Sequence, residues 1–177
     1  IPLISGKDSM KNDTYLGGKK ISIPPALLFS MIGKVQDIRK LRTLEPKTEG
    51  ELIYLIGITE DKLGGSEFAL MKNDPLFERE STFIERGKAL KIYDLMKRIN
   101  SKNIAASASA PGRGGIFYSL FLMAKASGMG LFADLSSLPA NRKLNLFHSF
   151  FAETPLRFIV TVTPEKEQEF LDLLGKI

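Results

Sequence analysis

Three short segments combine glycine, hydroxyl and charged residues in the pattern of loops that bind anions. The first, residues 5–13, holds a glycine, two serines, two lysines, two aspartates and an asparagine directly after a short apolar run. Loops at strand ends often carry phosphate and magnesium ligands, because the sheet positions them while lysine and backbone N–H groups neutralise oxyanions. A hard cation would accept oxygens of Asp8, Asn12 or Asp13. An ordinary polar turn is the alternative, and the glycine spacing of a phosphate-binding P-loop is missing.

The other two segments contain paired glycines. Gly64, Gly65 and Ser66 follow an apolar stretch, and such a pair lets the backbone approach a ligand and present successive N–H groups to an anion. Residues 111–115 lie between a predicted strand and a predicted helix, where helix N-terminal N–H groups and the Arg113 guanidinium could bind an anion. A turn that needs positive φ explains the first pair equally well, and a tight strand-to-helix connection explains the second.

The composition excludes several classes of protein. With no cysteine and a single histidine, His148, the 177-residue chain cannot form disulfides, thiolate metal sites or a histidine cluster. No apolar run approaches the roughly 20 residues that span a bilayer. The net charge is +5, but the 25 basic residues are spread among 20 acidic ones, unlike the clustered footprint of a nucleic-acid-binding protein. The excess suits small phosphorylated ligands, and the lack of cysteine is compatible with a reducing cytoplasm.

Hydrophobic patterning predicts the elements that position these segments. Strands are predicted at residues 21–35, 52–58, 104–109, 131–135 and 157–162. A helix is predicted over residues 82–100, because Thr82 and Glu85 match a capping box before apolar residues at helical spacing. A second helix should open at Gly114 and Gly115 and stop at Gly128.

Two further helices complete the prediction. One covers residues 143–151, and the last begins with Thr163 as N-cap and Pro164 at its first position and stops at Gly175. The resulting order of elements predicts an α/β fold, a sandwich in which helices cover a mixed sheet. The boundary that we expect lies near residue 20, where a leading strand and loop give way to a self-contained unit.

Five segments of the chain occur in the order in which one known family carries them. They read Ile-Pro-Leu-Ile-Ser-Gly-Lys-Asp-Ser-Met-Lys-Asn at residues 1–12, Ile-Pro-Pro-Ala-Leu-Leu-Phe-Ser at residues 23–30, Gly-Gly-Ser-Glu-Phe at residues 64–68, Arg-Gly-Gly at residues 113–115 and Glu-Thr-Pro-Leu-Arg-Phe at residues 153–158. Together they resemble phosphoribosylformylglycinamidine synthase of purine biosynthesis. Each motif alone is weak, and their common order carries the resemblance.

The resemblance implies a piece of a larger enzyme. Residues 1–20 would be the last strand and loop of an N-terminal ATP-binding-type domain, and residues 21–177 a C-terminal-type domain of the aminoimidazole-ribonucleotide-synthetase superfamily. The parent enzyme uses ATP and Mg²⁺ to convert formylglycinamide ribonucleotide to the amidine with ammonia from glutamine. Its implied partners are a paired repeat and a glutaminase domain or subunit, in the cytoplasm. The isolated chain is expected to be inactive, and it could form a homodimer.

The resemblance also implies site residues. By motif match, the residues that would line a nucleotide or substrate cleft are Lys7, Asp8, Ser9 and Asn12, with Asn12 as a candidate metal ligand. Those that would contact the phosphate or ribose end of the ribonucleotide are Gly64, Gly65, Ser66 and Glu67. The anion-binding turn before the helix would be Arg113, Gly114 and Gly115.

One departure from the family pattern concerns the loop before that helix. The family often has two aspartates there, and this chain has Ala110 and Arg113 in their places. A methyl group cannot hold a hard cation, and an arginine favours an anion instead. We therefore expect this half either to be non-catalytic or to bind phosphate through Arg113 without magnesium. Two alternatives stay open, an assembly or dimerisation module of the same enzyme and a superfamily relative such as aminoimidazole ribonucleotide synthetase.

Overall fold

The computed structural model describes residues 5–7, 13–23, 27–73 and 82–175. The chain divides into two units, Ile1–Gln36 and Asp37–Ile177. The predicted strand end at residues 1–4 and the candidate ligands Asp8, Ser9 and Asn12 lie outside the described residues. The boundary near residue 20 stays a prediction. Among the described helices, none has the length and apolar content that crossing a membrane requires.

The first unit contains a β-hairpin. Strand β1 (Thr14–Leu16) pairs antiparallel with β2 (Lys19–Ile21), and the two connecting residues, Gly17 and Gly18, both have positive φ. Glycine is favoured at both positions of such a turn, because positive φ costs it no steric strain. A stretch predicted to be a loop is therefore a hairpin, and its glycine pair was the sequence signal for it.

The predicted strand over residues 21–35 is wrong at residues 22–23 and 27–35. The described residues 27–35 form no strand, and their large apolar side chains are exposed. A strand needs a neighbour for its backbone hydrogen bonds, and none of the strand pairings between described residues includes this segment. β-rich composition was not enough without a partner strand.

The second unit is built on an antiparallel sheet. Its strands are β3 (Leu52–Ile56), β4 (Ser107–Ser109) and β5 (Phe158–Val162), and β5 lies in the middle. Tyr54 of β3 and Ala108 of β4 both stand opposite Val160 of β5. An isolated parallel bridge joins Thr59, beyond β3, to Ala140.

Helices cover both faces of this sheet. The described helices of this unit are α1 (Glu67–Lys72), α2 (Arg86–Ser101), α3 (Gly115–Ser127), α4 (Leu146–Phe151) and α5 (Glu167–Leu174), with short 3-10 turns at Ile38–Lys40 and Pro164–Lys166. Because side chains alternate along a strand, Val160 and Val162 of β5 pack with α2 and α5, whereas Ile159 packs with α3. The predicted α/β fold with helices on a sheet is confirmed, but the strand pairs described in this sheet are antiparallel rather than mixed.

Several helix ends follow the predicted chemistry. Gly114 is the N-cap of α3, and Gly128 ends it in the left-handed conformation. Thr163 occupies the N-cap position of the 3-10 turn that Pro164 opens, but its side chain makes no capping hydrogen bond; this turn leads into α5, which ends at Gly175. The helix predicted over residues 143–151 begins at Leu146, after Asn145 as N-cap.

Two other local predictions are wrong. The capping box at Thr82 does not form, since α2 begins after Glu85, which makes no side-chain cap and instead pairs with Lys88 at 3.0 Å. The strand over residues 131–135 is absent, because the Asp134 carboxylate accepts the Ser136 N–H at 2.8 Å and turns the chain. Helix α1 was not predicted, although Ser66 before Glu67 is a typical helix start.

Gly115 should tolerate alanine far less well than Gly128. Both have positive φ, where a non-glycine residue costs about 1–2 kcal/mol. A Cβ on Gly115 would lie 2.5 Å from the Phe150 carbonyl oxygen, whereas one on Gly128 would meet nothing within 4 Å. We expect Gly115→Ala to lower the free energy of unfolding by about 1–3 kcal/mol more than Gly128→Ala, as overpacking does. Urea unfolding followed by circular dichroism measures both, and equal losses would contradict the close contact.

Candidate functional site

Two of the three candidate loops meet at one carboxylate. Glu153 Oε1 accepts the backbone N–H of Glu67 at 2.8 Å and the backbone N–H of Gly114 at 2.9 Å. Glu67 is the first residue of α1 and Gly114 is the N-cap of α3, so both N–H groups lie at helix ends that offer them no intrahelical acceptor. The loop after β3 and the loop before α3 are therefore joined through a third segment.

A second contact joins the same two loops at the surface. Arg113 Nε lies 2.9 Å from Glu67 Oε1, and the Arg113 side chain is 84% exposed. An exposed ion pair of this kind adds little stability, typically below about 1 kcal/mol. Its main consequence is to hold a guanidinium at the surface where the loops meet.

Ser66 has a structural role in the folded chain. Its side chain is buried, and its hydroxyl oxygen accepts the Ala69 N–H at 3.1 Å, which caps α1. Its own N–H donates to the Leu63 carbonyl at 3.0 Å. Gly65 has a φ of 74°, so the turn requirement that sequence left open is present here. A contact between Ser66 and a ligand stays a prediction.

The glycines before α3 allow a close approach of backbones. Gly114 and Gly115 have φ values of 78° and 64°, and the Gly115 N–H donates to the Gly112 carbonyl at 2.9 Å. A Cβ on Gly115 would lie 2.5 Å from the Phe150 oxygen and 2.9 Å from the Ala152 oxygen. The start of α3 therefore packs directly on the end of α4, next to Glu153.

The segment that carries Glu153 is held by a buried arginine. Arg157 Nε donates to the Thr154 carbonyl at 2.9 Å, one terminal nitrogen donates to the Ala152 carbonyl, and the other to the Thr59 hydroxyl at 3.1 Å. Thr154 in turn accepts the Glu60 N–H at 3.1 Å through its hydroxyl. Residues 152–157 are thus tied to the chain that follows β3, from which α1 also starts.

The charge of Arg157 persists at neutral pH despite its burial. Desolvation lowers the pKa of Arg157 to about 10, and the negative charge of nearby Glu153 acts in the opposite direction. The guanidinium is therefore a full cation, and the described groups that compensate it are carbonyl and hydroxyl oxygens and one neighbouring carboxylate.

An apolar groove opens beside the two loops. It encloses about 300 Å³, and its walls are almost entirely apolar. The side chains that line it come from α1, α3 and α4, namely Phe68, Met71, Phe117, Tyr118 and Phe151, and Glu67 and Arg113 also border it. The rings of Phe68 and Phe151 are stacked with their centroids 5.1 Å apart. The candidate anion-binding groups thus adjoin an aromatic surface.

The arrangement does not suit a hard cation. Within the described ranges, no group of three or more acidic or histidine side chains comes together as metal ligands would. The two carboxylates at these loops are engaged, Glu67 by Arg113 and Glu153 by two N–H groups. Ala110, at one of the family's aspartate positions, is exposed and offers no ligand.

Other residues that sequence singled out make different contacts or belong to the other unit. Lys7 belongs to the first unit, Ile1–Gln36. His148 is largely buried, with Nε2 3.1 Å from Asp61 Oδ1 and Nδ1 2.7 Å from Asn145 Oδ1, and this contact attaches α4 to the chain after β3. A larger cavity of about 700 Å³ lies along β3 and α3, and none of the candidate site residues lines it.

Sequence reasoning assigned no role to Glu153 or Arg157. Both occur in the segment Glu-Thr-Pro-Leu-Arg-Phe, which carried the resemblance but offered no periodicity or ligand spacing. The available signal was an arginine directly before a β-branched strand, since an arginine at the start of a buried strand needs hydrogen-bond partners.

The fold and these loops define a class of protein domain. The family model described as "AIR synthase related protein, C-terminal domain" matches residues 48–176, and the chain belongs to this family. The chain is 30% identical over 177 residues to phosphoribosylformylglycinamidine synthase subunit PurL of Methanocaldococcus jannaschii, which covers 99% of this chain and 24% of that protein. It is also 30% identical to the subunit PurL of Leuconostoc mesenteroides, over 98% of this chain and 22% of that protein. The chain thus spans about a quarter of the length of these curated relatives.

Solved structures show the same fold. The structure described as T. maritima PurL complexed with FGAR superposes on 78% of this chain and 24% of its own, with a TM-score of 0.68 and 15% identity. T. maritima PurL complexed with ATP also superposes on 78% of this chain and on 22% of its own, with a TM-score of 0.59 and 16% identity. The chain therefore adopts a fold present in those proteins.

Removing the Arg157 guanidinium should destabilise the fold. Arg157→Met would leave the buried oxygens of Ala152, Thr154 and Thr59 without this donor, and unsatisfied buried groups cost about 1–3 kcal/mol each. Part of this loss is offset because a charge no longer has to be buried. We expect a net loss of about 2–4 kcal/mol in the free energy of unfolding, a size that broken buried networks reach.

The matched control is Arg98→Met, which removes a surface arginine paired with Asp94 on α2 and should change stability by about 0.5 kcal/mol or less. The loss of unfolding free energy for Arg157→Lys should lie between the losses for Arg157→Met and Arg98→Met, because one ammonium cannot reproduce the fork of donors. Urea unfolding measures all three variants. An Arg157→Met variant as stable as Arg98→Met would show that the network does not hold the loop.

Proposed function

We propose that this chain is part of a phosphoribosylformylglycinamidine synthase, the ATP-dependent enzyme that converts formylglycinamide ribonucleotide to the amidine in purine biosynthesis. The names of the relatives and the family to which the chain belongs support this proposal. In it, the loops at Gly64–Glu67 and Arg113–Gly115 form one wall of the ribonucleotide site. The isolated chain lacks the rest of the enzyme and is inactive.

The observation that carries this proposal is the convergence of the two loops. Through Glu153 and the pair between Arg113 and Glu67, residues far apart in sequence form one surface with an exposed guanidinium. Glu67 engages Arg113 Nε, so the terminal nitrogens of Arg113 can face a phosphate, for which a guanidinium fork is well suited. The neighbouring neutral and apolar groove leaves room for the uncharged part of a ligand.

The first candidate segment belongs to the same proposal. Lys7, Asp8, Ser9 and Asn12 would line the nucleotide or substrate cleft as part of residues 1–20, the end of an N-terminal ATP-binding-type domain. Residues 21–177 would be the C-terminal-type domain. ATP supplies the activating phosphoryl group in the parent enzyme. Any Mg²⁺ that accompanies ATP would be held outside the loops at Glu67 and Arg113, whose carboxylates are already engaged.

The partners follow from the same assignment. The remaining domains of the synthase, including a paired repeat, would complete the site, and a glutaminase domain or subunit would deliver ammonia in the cytoplasm. No element of the proposal needs nucleic acid or a membrane.

Replacing Arg113 should weaken ribonucleotide binding selectively. In the full synthase that carries this chain, we expect Arg113→Ala to raise KM for formylglycinamide ribonucleotide about tenfold, the equivalent of one charge-assisted hydrogen bond. The value of kcat should change less than about threefold, because the contact is made in the ground state as well as the transition state. Steady-state kinetics with ammonia and saturating ATP measure both constants.

The control is Arg98→Ala, which removes an exposed arginine from α2 whose guanidinium pairs with Asp94 of the same helix. It should leave both constants unchanged. A KM that is the same for Arg113→Ala, Arg98→Ala and the parent enzyme would refute the role of this loop.

The related reaction of aminoimidazole ribonucleotide synthetase is tested in the same assay by offering the substrate of that reaction, the amidine.

An assembly role is the second candidate, and exposed phenylalanines favour it. Phe117 and Phe121 of α3 are each 50% exposed and Phe147 of α4 is 53% exposed. Phe117 packs edge-on against Phe150, and Phe147 packs on Phe68, so these rings belong to connected aromatic contacts. Apolar surface of this kind often marks a protein interface.

A single charge should disrupt such an interface. If the isolated chain self-associates through this face, Phe121→Glu should convert the dimer to monomer at micromolar concentration in sedimentation equilibrium, because a carboxylate cannot be buried there unpaired. Leu171→Glu, at a partly exposed position of α5, is the control and should leave the association unchanged. A parent chain that stays monomeric at the highest concentration tested would contradict self-association.

A further inference from the structure

The hydrogen bonds that the Glu153 carboxylate accepts indicate a role beyond stability. One oxygen atom of its carboxylate accepts an N–H from α1 and an N–H from the start of α3, at 2.8 and 2.9 Å. Because both bonds converge on a single atom, they set the separation of the two loops more tightly than two independent contacts would. Hydrogen bonds to an ionised acceptor are also about twice as strong as neutral ones.

The support beneath Glu153 is rigid. Its neighbours Ala152 and Thr154 are buried, and the carbonyl groups of both accept donors from Arg157. Leu156 has a φ of 60°, which a non-glycine residue adopts only where its surroundings require it. The carboxylate of Glu153 therefore projects from a backbone that several buried contacts hold in one conformation.

Glu153 also decides which groups remain for a ligand. The N–H groups of Glu67 and Gly114 at the two helix ends, to which a phosphate could otherwise bind, are occupied by an anion of the chain itself. The Ser66 hydroxyl is turned inward as the cap of α1. Among these groups, the exposed one with a full positive charge is Arg113.

We propose that Glu153 is a positioning residue for the ribonucleotide site, which acts as an internal anion that clamps the loop of Glu67 to the loop of Arg113 and so directs the phosphate to Arg113. This inference rests on the proposed function. Glu153 itself touches no substrate.

The experiment compares substitutions at Glu153 in the full synthase. Glu153→Ala removes the acceptor from both N–H groups and should raise KM for formylglycinamide ribonucleotide about tenfold, the value of one charged hydrogen bond. Glu153→Gln keeps an oxygen in the same place, so its KM should stay within about threefold of the parent enzyme, since neutral hydrogen bonds are about half as strong. Glu169→Ala, which removes an exposed acid from α5, is the control and should change neither KM nor kcat.

A second readout does not depend on the reaction. Hydrogen-exchange mass spectrometry should show faster exchange for Glu153→Ala in peptides that cover residues 64–69 and 112–117, because both N–H groups lose their acceptor. Peptides from α5 should exchange as in the parent enzyme. The Glu153→Gln variant should retain slow exchange at both loops.

The outcomes separate this inference from the proposed function. A KM for Glu153→Ala within twofold of the parent, with Arg113→Ala still raised, overturns the positioning role alone. A KM unchanged in both variants overturns the proposed function. If Glu153→Ala does not fold, Glu153→Asp decides, since its shorter side chain keeps the charge but cannot reach both N–H groups. A raised KM for Glu153→Asp supports the clamp, and an unchanged KM overturns it.

Discussion

A buried guanidinium has to find hydrogen-bond acceptors, and in this chain that need organises the site. Arg157 is 1% exposed and satisfies it with two carbonyl groups of its own loop and with the hydroxyl of Thr59 beyond β3. Taking a charge out of water costs several kcal/mol even when it is compensated, so the arrangement is stable only if these acceptors stay in place. The loop at residues 152–157 is therefore constrained by electrostatics as much as by packing.

Two glycines extend this constraint to neighbouring backbone segments, because each lets a segment pack closely against the loop. Gly57 has a φ of 97° and lies so close to the loop that a Cβ there would collide with the Leu156 carbonyl oxygen. Gly115 makes a similar approach from the other side, against the carbonyls of Phe150 and Ala152. Because other backbone segments pack closely against this loop, Glu153 has little conformational freedom. Its two hydrogen bonds therefore fix the starts of α1 and α3 relative to the loop.

The parts of the fold that sequence predicted are those that local chemistry decides. Glycine at Gly114 and Gly128 bounds α3, and β-branched residues mark β5, because helix ends and buried strands depend on the residues within them. The failures depend on partners that a single sequence does not reveal. Residues 27–35 have no partner strand among the described residues, and Asp134 turns a stretch with strand-like composition. The candidate loops at Ser66 and Arg113 converge through Glu153, a contact that sequence did not predict because it depends on the fold.

An internal anion at two helix ends changes what the neighbouring loops can do for a ligand. Backbone N–H groups that already hold a carboxylate give a phosphate no binding energy unless it displaces that carboxylate, and displacing Glu153 would break both of its hydrogen bonds. A side chain on the surface is different, because Arg113 can exchange its pairing with Glu67 for a phosphate at little cost in a solvent-exposed pair. In the proposed function, the glycine loops would therefore mainly shape and hold the surface, and Arg113 would supply the charge that an anion meets.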